Sequence, residues 1–126
     1  MNPLDFDFRV IDHKEQRYAG TCGDYWLDHT GLHFRVSRLG DWRYEALVLV
    51  HELVEYLLVR AAGIDISSID RWDIDYCGEG EPGEDPGAPY HVQHMMADAV
   101  ERTVALFLGV KWGRYDEAVS RATTAR

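Results

Sequence analysis

Residues 46–60 read A-L-V-L-V-H-E-L-V-E-Y-L-L-V-R and place His51, Glu52 and Glu55 inside an apolar run. At about 100° per residue, a helix through this run puts His51 and Glu55 one turn apart on one face, with Glu52 on its flank. A helix that is apolar nearly all round is normally buried. The imidazole and the two carboxylates must therefore find partners, become neutral or bind a ligand.

Turn and cap signals bound this helix and predict a β-hairpin before it. Asp41 has the side chain of an N-cap, and Gly63 can end the helix after about Ala62. Residues 23–38 alternate apolar and polar side chains, and Gly31 supplies the positive φ that a short hairpin loop needs. One side of the second strand carries Leu32, Phe34 and Val36.

The flanking segments give weaker signals. Residues 6–11 alternate and predict a strand, whereas residues 12–20 are polar and form a connection or a short strand. Residues 64–76 carry four Asp and no clean period, and a short helix capped at Ser67 or Ser68 is one option there.

A loop separates the first helix from a second long one. Residues 78–89, G-E-G-E-P-G-E-D-P-G-A-P, hold four Gly, three Pro and four acidic residues, which predicts a loop. In a compact domain a loop of this length is either functional or mobile. Pro89 suits the opening of a helix from about Tyr90 to Leu108, and residues 111–126 predict a shorter amphipathic helix that frays.

The second helix has two contrasting faces. A broad apolar face, of the kind that normally packs in a core, comprises Val92, Met96, Ala99, Val100, Thr103, Leu106 and Phe107. The polar face comprises His91, His94, Asp98, Glu101 and Arg102. The order of elements predicts an α+β fold, in which an N-terminal antiparallel hairpin or small sheet packs on two long helices.

The composition of the chain limits the functions that it can have. At 126 residues, with 46% hydrophobic and 12% aromatic residues, the chain predicts one globular domain over 1–126. The formal net charge of -9, without a run of Lys and Arg, disfavours binding to nucleic acid or to an anionic membrane. The longest apolar run is too short and too polar to cross a bilayer.

The cysteines and the N-terminal segment indicate a compartment. Cys22 and Cys77 belong to no C-x-x-C pair, so two free thiols are expected rather than a disulfide framework or a thiolate zinc site. The N-terminal residues lack a basic region followed by a long apolar one, as a secretory signal would have. Both observations favour a cytoplasmic protein.

The string H-E-x-x-E differs in one position from the zincin motif H-E-x-x-H, in which two side chains one turn apart bind one metal ion and the intervening Glu activates water. Glu55 stands where the second His would be, and a carboxylate binds zinc at about the same distance. With His51 and His94 the set becomes two His and one carboxylate, and Glu52 is the candidate base. His91 is the alternative third ligand.

His94 is preferred because Asp98, one turn on, can accept its other ring proton. A divalent metal ion, foremost zinc, is the cofactor that this pattern predicts. A second interpretation involves no metal ion. Under that interpretation Glu52 is a charge on an exposed helix edge, the second-helix histidines are solvated, and Glu101 pairs with Arg102 or solvent.

A hairpin that leads through a short turn into a long H-E-containing helix resembles the core of minimal gluzincin-type metallopeptidases. The resemblance covers residues 23–62 and, more loosely, 90–108, and it implies a zincin-like fold in which an edge strand holds an extended peptide. Residue by residue it implies His51 as a metal ligand and Glu52 as the general base, with Glu55 a ligand by position only. His94 would take the place of the family's downstream Glu. The chain also resembles small phage and prophage proteins.

Three functions are consistent with the sequence. The first is a metal-dependent hydrolase of peptide or amide bonds, with a peptide or protein as substrate. The second is an all-α nucleotide pyrophosphohydrolase of the MazG type, because Glu52-x-x-Glu55 and Asp98-x-x-Glu101 resemble its two acidic half-motifs, which hold Mg²⁺. The third is a non-catalytic accessory protein that uses the acidic 79–85 segment to bind a partner. The sequence leaves the oligomeric state open.

Overall fold

A small sheet precedes four helices in the computed structural model, which describes residues 4–124. The strands are β1 (Phe6–Ile11), β2 (Gly23–Asp28) and β3 (Gly31–Ser37). The helices are α1 (Trp42–Ala62), α2 (Ile66–Asp75), α3 (His91–Phe107) and α4 (Trp112–Thr124). Single 3₁₀ turns lie at His13–Glu15 and Pro82–Glu84. The α+β class predicted from the sequence is confirmed.

The sheet has the order β1-β3-β2, so β3 is central and both other strands are edges. The β2–β3 hairpin is antiparallel as predicted, and Gly31 has a φ of 124° at its loop. β1 pairs with β3 in parallel, so the small sheet is mixed and not wholly antiparallel as predicted. The apolar side of β3 is buried, and its members Leu32, Phe34 and Val36 are at most 5% exposed. Strands β2 and β3 pack against α1, which also packs against α3.

The predicted ends of α1 are confirmed. The Asp41 carboxylate accepts a hydrogen bond from the backbone N–H of Arg43 at 2.9 Å, which satisfies one of the free donors of the first turn. Gly63 follows Ala62 in the left-handed conformation at φ 71°, and its N–H donates to the carbonyl oxygen of Arg60. Both signals are local, and therefore the sequence suffices to predict them.

The short helix after α1 forms, but its cap is Asp65 rather than Ser67 or Ser68. The Asp65 carboxylate accepts from the backbone N–H of Ser67 at 3.1 Å. The Ser67 hydroxyl donates to the same carboxylate at 2.6 Å, so it is itself used as a donor. Between α2 and α3 the predicted loop is present, interrupted by the turn at Pro82–Glu84.

Helix α3 presents the opposite face to the interior from the one that hydrophobicity indicates. Its buried residues are His94, Ala97, Glu101 and Ala105. The apolar residues expected in the core are exposed, with Leu106 and Phe107 at 75% and 79%. The interpretation of His94 and Glu101 as solvated is therefore wrong, and the reason is that the polar side chains of α3 meet those of α1.

Helix α4 covers the far end of α1 and α3. Tyr115 is 3% exposed and packs with Leu47, Val48, Ala105 and Val36 in one hydrophobic cluster. The prediction of a helix over this tail is confirmed for Trp112–Thr124, and the expected fraying at residues 125–126 falls outside the described residues. Within residues 4–124, none of the helices has the length and apolarity that a membrane span requires.

Candidate metal centre

Helices α1 and α3 bring together the three side chains that the sequence proposed as ligands. His51 and Glu55 lie on α1, and His94 lies on α3. His51 contacts Glu101 as well as His94, while Glu55 contacts His94, so the two helices run in opposite directions past each other. All three proposed ligands are at least 93% buried. A buried group of two imidazoles and one carboxylate can hold a metal ion.

The inner atoms of these side chains form a small triangle. His51 Nε2 lies 3.2 Å from His94 Nδ1 and 3.3 Å from Glu55 Oε2, and His94 Nδ1 lies 2.9 Å from the same oxygen. Bonds of about 2.0–2.2 Å to a tetrahedral zinc ion separate neighbouring ligand atoms by roughly 3.3–3.5 Å. The triangle is therefore close to one face of a zinc tetrahedron.

Each of the three ligands has a second partner on its outer side. The Glu101 carboxylate lies 2.8 Å from His51 Nδ1, and the Glu81 carboxylate lies 3.3 Å from His94 Nε2. The Tyr25 hydroxyl donates to Glu55 Oε1 at 2.9 Å. Outer partners of this kind hold the proton on the far ring nitrogen and leave the inner atom free to bind. The three inner atoms thereby face one another.

The outer partners differ from those expected from the sequence. Asp98 does not orient His94, because its carboxylate accepts from Arg102 at 3.4 Å. Glu81, from the glycine-proline loop, takes that position. Glu101 orients His51, and the Tyr115 hydroxyl of α4 lies close to Glu101.

The zinc-site prediction did not include Glu101, which the sequence placed only in the nucleotide alternative, although one signal was available. It follows His94 by seven residues, which puts both on the same helix face. Tyr25 and Glu81 carry no comparable signal, because they reach the site from a strand and a loop.

His91 does not join the group. Its Nδ1 donates to the carbonyl oxygen of Gly83 at 2.9 Å, so this histidine holds the loop against α3. Of the two histidines that the sequence left as alternatives, the structure brings only His94 to His51 and Glu55.

The electrostatics of the group favour positive charge at its centre. Burial raises the pKa of Glu55, but hydrogen bonds from His51 and His94 outweigh it and bring the pKa to about 2. Burial lowers the pKa of His94, yet its bonds to Glu55 and Glu81 raise it to about 10. The pKa of His51 also lies well above its ordinary value, because Glu101 and Glu55 outweigh burial. Protons or a metal ion can carry this charge.

Glu52 lies beside the group without belonging to it. Its carboxyl makes no hydrogen bond to another residue within 4–124. Burial and the charge of Glu55 raise its pKa well above 4.5. A Cβ at Gly23 of β2 would lie 2.6 Å from Glu52 Cγ and Oε1, so the side chain lies against the strand where only glycine leaves room. The interpretation of Glu52 as a charge on an exposed helix edge does not match this position.

A cavity of ≈ 420 Å³ opens onto the group and is within the usual range for small-molecule and peptide side-chain sites. The loop closes one side of it, and Gly83 lies against the His94 ring. Ten of its lining side chains are acidic, namely Asp24, Glu52, Glu55, Asp70, Asp73, Glu81, Glu84, Asp98, Glu101 and Asp116. Such a cavity favours cations and disfavours anionic ligands.

Two further sets of side chains adjoin the main group. The ligand atoms of His51, Asp98 and Glu101 lie within 4.8 Å of one another, and so do those of Glu81, Glu84 and His94. Each set shares a histidine with the main group and includes a side chain that is less buried. The fully buried set of His51, Glu55 and His94 is therefore the best candidate for a metal centre.

Neither cysteine belongs to the candidate metal-binding sets of residues 4–124, although Cys22 lines the cavity. Cys22 and Cys77 are both free, as expected from their spacing. Burial raises the pKa of Cys22 to about 11, which keeps this thiol protonated at neutral pH.

Comparison with known proteins adds no assignment, since no family model, no curated protein and no solved structure matches this chain.

Proposed function

We propose that the protein is a zinc-dependent hydrolase of peptide or amide bonds, with the ion held by His51, Glu55 and His94. The observation that carries the proposal is the convergence of three inner ligand atoms within 3.3 Å, each with an outer partner that orients it. Two His and one carboxylate form the ligand set of many catalytic zinc sites. Three protein ligands leave a fourth position for water or substrate.

Glu52 is the proposed general base. A zinc ion held by His51, Glu55 and His94 would supply a Lewis acid that polarises a carbonyl group and activates water. Glu52, whose pKa burial and Glu55 raise, would be favoured in its ionised form by the nearby positive charge. Glu52 then accepts a proton from the attacking water and later donates it to the leaving amine. Within residues 4–124 no hydrogen-bond partner fixes the Glu52 carboxylate, which leaves it free for both transfers.

The zincin-like resemblance assigns peptide binding to an edge strand, and β2 is the edge strand that lines the cavity. Its outward backbone groups are partly used by the preceding segment. The Thr21 hydroxyl donates to the carbonyl oxygen of Gly23 at 2.7 Å, and Arg17 donates to that of Tyr25 at 3.5 Å. A peptide that pairs with β2 replaces these side-chain contacts with backbone hydrogen bonds.

The nucleotide pyrophosphohydrolase alternative has one favourable observation, since both acidic half-motifs line the same cavity. Two observations count against it. The protein contains a sheet, whereas that class is all α. Arg102 is the single Lys or Arg among the cavity-lining residues of the described range, so a triphosphate would face mostly carboxylates.

The test of the proposal begins with elemental analysis of protein purified without chelator, followed by zinc titration and assay on a mixture of unstructured peptides. We expect about one zinc ion per chain and peptide cleavage that a chelator abolishes. Failure to bind zinc or any other first-row divalent ion would contradict the metal site and favour the accessory role. Zinc binding without peptide cleavage would contradict the hydrolase. Release of pyrophosphate from nucleoside triphosphates with Mg²⁺ would favour the nucleotide alternative.

Removal of the Glu101 side chain is expected to weaken zinc binding although Glu101 is not a ligand. Glu101→Ala leaves His51 Nδ1 without its acceptor and frees the ring to turn, which costs about 10–100-fold in affinity. Glu117→Ala is the matched control, because this α4 carboxylate pairs with Arg121 and does not line the cavity. Zinc affinity measured by competition with a chelator should fall for the first variant alone. Equal affinities for the two variants would remove Glu101 from the site.

A methyl group at Gly83 is expected to disturb the same site from the loop. The added Cβ of Gly83→Ala would lie 2.6 Å from Cγ and Nδ1 of His94, so the ring must shift. We expect a loss of zinc affinity on the order of 10-fold and of stability by about 1–3 kcal/mol. Gly20→Ala is the control, because it lines the cavity and its Cβ meets no atom within 4 Å. Chemical denaturation and zinc competition give both quantities, and unchanged values for Gly83→Ala would refute the contact.

A further inference from the structure

The outer face of α3 is apolar, exposed and free of charge. Its long side chains range from 40% to 79% exposed and are Val92, Met95, Met96, Val100, Leu106 and Phe107. Ala99 and Thr103 complete the face, and at 100° per residue the eight side chains cover an arc of about 140°. Asp98 and Arg102 lie beyond one edge of it. A helix in water normally turns its polar residues outward, so this surface is a candidate for contact with a partner.

The size of the face is that of the apolar centre of a protein interface. The residues from 92 to 107 extend over about 22 Å of helix. At roughly 100 Å² per exposed long side chain, the six offer on the order of 600 Å². Monomeric proteins seldom expose a larger patch, and a stable interface buries about 800 Å² on each partner, rim included.

We propose that this face binds the same face of a second copy of the chain, as an antiparallel and two-fold symmetric pair of α3 helices. With the two-fold axis between Ala99 and Val100, a large side chain meets a smaller one along much of the helix. Phe107 faces Val92 of the other copy, and Met96 faces Thr103. The small Ala99 side chain lies at the centre, where the two helices come closest.

The face itself carries no charged side chain. Two copies, each with a formal net charge of -9, therefore bring no like charges into direct contact when they pair through it. The pairing also leaves the candidate metal centre open, because His94 and Glu101 lie on the buried side of α3. The inference is therefore independent of the proposed hydrolase activity.

The test is the molar mass of the full chain by analytical ultracentrifugation across a concentration series. We expect the wild type to sediment as a dimer and Met96→Glu to sediment as a monomer with an unchanged circular dichroism spectrum. Ile74→Glu is the matched control, because Ile74 is 67% exposed on α2 and the change in charge is the same. A monomeric wild type, a dimer that survives Met96→Glu, or dissociation by Ile74→Glu would each overturn the proposal.

A covalent test fixes the register. Ala99→Cys, placed in a Cys77→Ser background so that the exposed native thiol is absent, brings two sulfurs together at the symmetry axis. Mild oxidation should then give a disulfide-linked dimer in high yield. Thr124→Cys in the same background lies outside the face and should remain monomeric after denaturation. Equal yields from the two positions would overturn the antiparallel α3 pairing.

Discussion

Replacing His94 by alanine is expected to abolish tight zinc binding, whereas replacing His91 by alanine leaves it intact. In the proposed site His94 supplies one of three inner ligand atoms, so its loss leaves two. The affinity should fall by more than the roughly 10–100-fold that loss of an outer partner costs. His91 lies one turn earlier on the same helix, which makes it a matched control with its own bond to the Gly83 carbonyl oxygen.

Thermal unfolding with and without zinc measures the same difference independently. An ion that binds only the folded state stabilises it by about 2.7 kcal/mol when its concentration is 100 times the Kd. The wild type and His91→Ala should therefore gain stability with zinc, and His94→Ala should gain almost none. Should His91→Ala lose the zinc effect while His94→Ala keeps it, the proposed ligand set is wrong.

Without zinc, His94→Ala should still fold, but less stably. His94 is one of two imidazoles around Glu55, and its removal leaves a buried carboxylate with fewer hydrogen bonds. Loss of a partner from a buried charged pair costs about 3–5 kcal/mol. This variant must therefore be compared with wild type at a temperature where both are folded.

How much the sequence predicts depends on how local the determining signal is. The ends of α1 follow from Asp41 and Gly63, which act within one turn of the helix they bound. The hairpin likewise follows from Gly31 and the alternation around it. The predictions of these elements are correct because the residues that determine each element are neighbours in the chain.

The orientation of α3 could not be derived in the same way. Hydrophobicity assigns the face around Met96 to the core, and this rule assumes that one chain buries its own apolar surface. Here the inward face carries His94 and Glu101, whose cost of burial is offset by His51 and Glu55 on α1. Complementary polar groups on two distant helices override the local pattern.

The outer partners of the ligands were missed for a related reason. Tyr25 and Glu81 reach Glu55 and His94 from β2 and from the loop, across 30 and 13 residues of chain. No periodicity links such pairs. Only the packing of the strand and the loop around α1 and α3 determines which oxygen meets which ligand.

Glu52→Gln is expected to retain zinc and lose catalysis. An amide cannot accept a proton from water, so the rate of peptide cleavage should fall by about 10²–10⁴-fold. Zinc affinity should fall less than in Glu55→Gln, because Glu52 is not in the ligand triangle. Glu55→Gln gives the opposite pattern, with zinc affinity as the primary loss. Asp116→Asn, on α4 at the cavity lining, is a control for a changed carboxylate outside the site.

Measurements of thermal stability distinguish a catalytic role of Glu52 from a structural role. Burial and Glu55 raise the pKa of Glu52 in the folded protein, so its ionisation weakens the fold as the pH rises above the ordinary value of 4.5. Glu52→Gln should therefore unfold at an equal or higher temperature than wild type at pH 7 without zinc, and this gain should vanish near pH 4. A structural carboxylate would give a loss of stability at pH 7 instead. A variant with full activity would leave Glu52 without a catalytic role, whatever its effect on stability.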